Sequence, residues 1–88
     1  MKQNPNYILR SVADSLVIVP VGEATKDFPG MITVNPTSQF LWEQLAADQT
    51  EDSLVTALLS KYDVAEELAR NDVVQFVKTL KLIGAVVD

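Results

Sequence analysis

Up to residue 34 the apolar positions are rich in Val and Ile and bunched or alternating; from residue 35 onward they recur at helical intervals. "YILRSVAD" (7–14) and "SLVIVPVG" (15–22) are two β-branched runs meeting at Asp14-Ser15, which predicts a hairpin. Pro20 removes one donor from the second run and predicts an edge or a bend there. "EATKDFPG" (23–30) is a polar loop closed by the turn pair Pro29-Gly30. Gly30 then opens "GMITVNPTSQFLWEQL" (30–45), in which Ile32 and Val34 alternate with Met31 and Thr33. This predicts a third strand over 31–34, followed by Asn35 as N-cap and Pro36 as a first-turn proline. A strand so short, pinned directly to a helix, is not expected mid-sheet, so its second edge needs a partner.

The first helix is expected over 36–47, with Phe40, Leu41 and Leu45 inward and Trp42 on a flank. Asp48-Gln49-Thr50 breaks it. Thr50 caps a second helix, with Glu51 and Asp52 in the first turn and an apolar stripe of Leu54, Val55, Leu58, Leu59 and Tyr62. Asp63 and Glu66 have capping-box spacing and predict the start of a third helix. Its apolar side carries Ala69, Val73, Phe76, Val77, Leu80 and Ile83, and Gly84 is a natural stop. Ala85-Val86-Val87 is expected to return and pack against the body.

Eighty-eight residues, 48% apolar and 22% charged, suit one globular domain over residues 1–88 that buries about 60–65% of its unfolded surface. No apolar run reaches membrane-spanning length, and "MKQNPNYILR" shows no secretory signal. The expected setting is therefore cytoplasmic, with no membrane partner. Cysteine and histidine are both absent, which removes disulfides, thiol nucleophiles, imidazole acid–base chemistry and most zinc sites. A net charge of −5 argues against nucleic acid, whose phosphates need clustered Lys and Arg.

The carboxylates Glu51, Asp52, Glu66 and Glu67 sit at helix starts, where the macrodipole already explains them; Asp72 does not. No calcium loop, Walker sequence or dinucleotide fingerprint is present, and no serine has a histidine to activate it. The expectation is no enzyme, no cofactor and no metal. Trp42, Phe40 and Phe76 are expected in the core. Arg70, Lys78 and Lys81, three of the seven basic residues, share one side of the third helix with Val74 at about 100° per residue. That stripe is either a solvated face or a steering surface for an acidic peptide.

Three short strands followed by three helices is a winged-helix-like α+β arrangement with a three-stranded antiparallel sheet. With "GMITVNPTSQFLWEQL", "SLVTALLSKYDV" and "DVVQFVKTLKLIGAVV", and the landmarks Asn35, Trp42, Asp72-Val73, Phe76 and Gly84, the chain resembles the PqqD family over about residues 5 to 87. The resemblance implies a RiPP recognition element. Such a module binds the leader of a ribosomally made precursor peptide and presents it to a modifying enzyme, often a radical-SAM enzyme. It implies that the leader adds a strand beside Met31, Ile32, Thr33 and Val34, against the third helix with Arg70, Val74, Val77, Lys78 and Lys81. It does not imply quinone synthesis here. An open strand edge suits such binding, and equally suits a homodimer when no peptide is present. A winged-helix DNA-binding regulator is the alternative, but the second helix carries only Lys61 near its end. An accessory subunit that only stabilises an enzyme is a third reading.

Overall fold

The computed structural model describes residues 1–27 and 30–88. In chain order its elements are β1 (Lys2–Gln3), β2 (Tyr7–Val12), β3 (Ser15–Pro20), α1 (Ala24–Asp27) and β4 (Ile32–Val34). They are followed by α2 (Pro36–Gln44), α3 (Glu51–Lys61), α4 (Glu66–Ile83) and β5 (Val86–Val87). The three-stranded antiparallel sheet runs in the order β2-β3-β4, as the pattern predicted. Its hairpin turns one residue earlier than expected: Val12 pairs with Ser15 and Ala13-Asp14 is the loop, with Ala13 at φ +54°. Pro20 closes β3 opposite Tyr7. The expected Pro29-Gly30 turn falls on Pro29, outside the described residues.

One face of the sheet enters the core. Leu9, Ile18 and Ile32 lie in register across the three strands, with Leu16 opposite Val34 behind them. Against this face pack Leu41 of α2 and its C-cap Leu45, Leu54 and Leu58 of α3, and Val73, Val77 and Leu80 of α4, all essentially inaccessible. Burying each side chain of this size is worth about 1.5–3 kcal/mol.

The helix ends show which local signals governed. The Asn35 side chain accepts the Ser38 N–H at 2.8 Å, and Pro36 takes the first turn. Thr50 and Ser53 form a reciprocal capping box, at 3.0 and 2.9 Å. The predicted Asp63–Glu66 box does not form. Ala65 is the N-cap of α4 and makes no side-chain cap bond, so Asp63 lies two residues outside the helix. Gly84 adopts φ +79°, and the Ala85 N–H reaches back to the Leu80 carbonyl at 2.8 Å, a Schellman closure.

From there the chain returns as expected, but as a strand: β5 pairs antiparallel with β1, Gln3 opposite Val86. This ribbon closes over α2. The Gln3 side chain donates to the Trp42 carbonyl at 2.6 Å and the Gln3 N–H to the Leu45 carbonyl at 2.8 Å. Trp42 is core, 3% exposed, as expected of its ring, and not on a flank of the helix. Leu59, expected inside, is exposed; the buried face of α3 is Leu54, Val55 and Leu58.

Candidate functional site

Backbone phase decides what β4 offers. The Val21 N–H donates to the Asn6 carbonyl at 2.7 Å, and this pair continues the β2–β3 register. Hydrogen-bonded pairs alternate along an antiparallel ladder. Val19, Val17 and Ser15 therefore turn their amides toward β2, and Ile18 and Leu16 turn theirs toward β4. Their partners are Ile32 and Val34. Thr33, between them, directs its N–H and C=O away from the sheet. Among the described residues no strand pairs with this edge. Met31 is 54% exposed and Thr33 is also exposed.

A groove of about 310 Å³ begins at Asn35, the residue immediately after β4. Thr37 and Ser38 of the first α2 turn form one wall, with buried Leu41 beneath them. The opposite wall is α4, through Asp72, Gln75, Phe76 and Thr79. Phe76 is half-buried and packs on the core. The Thr79 hydroxyl already donates to the Gln75 carbonyl at 3.1 Å. Asp72 is exposed, and it carries the one charge in this lining.

The predicted residues divide into two groups that the fold keeps apart. Met31, Ile32, Thr33 and Val34 form the edge strand, with Ile32 and Val34 turned inward. Arg70, Val74, Val77, Lys78 and Lys81 belong to the other flank of α4, about 160° around the helix from the groove at 100° per residue. Val74, Val77, Lys78 and Lys81 line a separate shallow depression with Glu51 and Leu82, which is 78% exposed. Val77 itself is core, 1% exposed. Arg70 is held at 2.9 Å by Asp52 of α3, a hydrogen bond that raises its guanidinium pKa further. Lys78 and Lys81 make no ion pair among the described residues.

Of the three aromatics weighed from sequence, Trp42 is buried. Phe40 meets Tyr62 edge-on at 6.0 Å with the Lys61 ammonium 4.9 Å above its ring. Phe76 alone reaches the groove. Gln75 and Thr79 were missed by sequence reasoning, and their only signal was a polar stripe on the flank opposite the lysines. Chemically, this arrangement supplies main-chain donors and acceptors beside a half-polar trough, which is what an extended chain needs.

Fold and site together define a small α+β domain whose sheet ends in an open strand beside a helical groove. The family described as coenzyme PQQ synthesis protein D (PqqD) matches residues 16–86, and the chain belongs to this family. Two solved structures share the fold. "TbiB1 in Complex with the TbiA(beta) Leader Peptide" is 15% identical, with a TM-score of 0.74 over 100% of both chains. "Lasso peptide synthetase B1 complexed with the leader peptide" is 18% identical, with a TM-score of 0.72 over 99% of this chain and 96% of that one. No curated protein matches the sequence closely enough to count as a relative. Among the described residues no cluster of acidic side chains could hold a metal ion, and no helix is long and apolar enough to cross a membrane.

Proposed function

We propose that residues 1–88 form one non-catalytic peptide chaperone. It binds the leader of a ribosomally made precursor as an added strand on β4 and presents it to a modifying enzyme of the radical-SAM type. The observation that carries this reading is the outward-facing backbone of Thr33 beside the groove of Phe76. Family membership supports it, as do two structures of the same fold solved in complex with leader peptides. The leader lies along Met31–Val34 and the near flank of α4. Lys78 and Lys81, on the far flank, are left for the modifying enzyme. Without peptide, the same edge pairs two copies into a homodimer that the leader displaces. The work takes place in the cytoplasm, where precursors leave the ribosome.

Fluorescence anisotropy with labelled leader segments of any short precursor genes that adjoin this one tests the reading. Saturable binding is expected, together with peptide modification that depends on the protein. No saturation up to about 0.1 mM leader, a binding free energy weaker than ~5.5 kcal/mol, would overturn it.

A further inference from the structure

We infer that the leader accepted by this groove carries a Lys or Arg two residues from an apolar anchor, the cation meeting Asp72 and the anchor meeting Phe76. The inference rests on strand addition at β4 and adds the chemistry of the ligand. Asp72 is exposed at the groove and makes no ion pair among the described residues. The nearest basic residue in sequence, Arg70, is turned away to Asp52 at 2.9 Å. Lys78 and Lys81 line a different depression. The groove therefore holds one uncompensated negative charge, within a protein of net charge −5. An acidic peptide laid there would be repelled, and a basic one attracted.

Spacing converts this charge preference into a pattern. In the complex inferred here the leader runs along α4, past the four groove residues, which span two helical turns. Asp72 and Phe76 are four residues apart, a rise of about 6 Å. In an added strand every second side chain points to the groove side, the side of Ile32 and Val34, at intervals of about 6.6 Å. Two successive groove-facing side chains thus meet Asp72 and Phe76 in turn. Leu41 lies buried under the same trough, so the residue at Phe76 is apolar.

The test is a selection of randomised displayed peptides on the full chain, run in parallel on the wild type, Asp72→Asn and Asp72→Lys. Circular dichroism would check that each variant is folded. The wild type should enrich peptides with Lys or Arg two positions from a large apolar residue. Asp72→Asn should weaken the best of them about two- to fivefold, the range of an exposed ion pair, and reduce their salt dependence. Asp72→Lys should shift the enrichment to Asp or Glu at the same position. Peptides that depend on the β4 edge, shown by loss of binding to Thr33→Pro, but lack a basic preference or keep it in Asp72→Asn, would overturn the inference alone. Recovery of no peptide above background on the wild type would overturn it together with strand addition itself.

Discussion

A proline at Thr33 and one at Ile32 should report different things, because the ladder turns these adjacent amides in opposite directions. Thr33→Pro deletes an outward donor. It should weaken leader binding by about 1–3 kcal/mol, the cost of leaving the leader's acceptor unpaired, and leave the melting temperature nearly unchanged. Ile32→Pro deletes a donor to β3 and should instead cost about 1–3 kcal/mol of stability, read by urea unfolding. Equal effects of the two prolines on stability would mean the phase of the ladder is wrong. Ala13 holds φ +54° in the hairpin loop, where a side chain is strained and glycine is not. Ala13→Gly should therefore raise stability by about 0.5–1 kcal/mol, the left-handed strain exceeding glycine's entropy cost; a destabilised variant would contradict this. At this scale the sequence was informative where one residue closes a helix end locally, by its side chain at Asn35 and Thr50 and by its left-handed backbone at Gly84. Asn35, Thr50 and Gly84 announced three helix ends because each cap is made within a few residues.

At the scale of elements, β2, β3, β4 and the three long helices were legible because each carries enough residues to show a period. The β1–β5 ribbon was not. Two residues per strand hold no alternation, and the pairing joins Lys2 to Val87 across the whole chain. With it the bonds from Gln3 to the Trp42 and Leu45 carbonyls also went unforeseen. The α4 start was misread because Asp63 and Glu66 have the right spacing, yet the helix begins behind Ala65. Ala65 leaves the first-turn amides of α4 without a side-chain acceptor, so Ala65→Ser should stabilise the protein by about 1 kcal/mol in urea unfolding. An unchanged midpoint would indicate that those amides are already well solvated. The candidate site was half legible. A helical wheel gathered Arg70, Val74, Lys78 and Lys81 on one side correctly, but which side of α4 looks along β4 is a tertiary fact. The wheel holds no record of it, so Asp72, Gln75 and Thr79 went unnoticed as a wall of the groove.

For the whole molecule, the function proposed above gives the two flanks of α4 two duties: the one beside the open edge would take the leader, the other the modifying enzyme. Lys78→Glu combined with Lys81→Glu, both at exposed positions, should leave leader affinity within about twofold at physiological salt, where charges beyond ~8 Å are screened. The same variant should slow enzyme-dependent modification; a large loss of leader affinity would instead put the leader on the lysine flank. The central claim, that the leader completes the sheet at β4, is met most directly by amide NMR on isotopically labelled protein titrated with leader. The largest shifts are expected at Met31–Asn35 and at Asp72, Gln75, Phe76 and Thr79, with the Thr33 amide newly protected from solvent exchange. A Thr33 amide that neither shifts nor gains protection at saturating leader would contradict it.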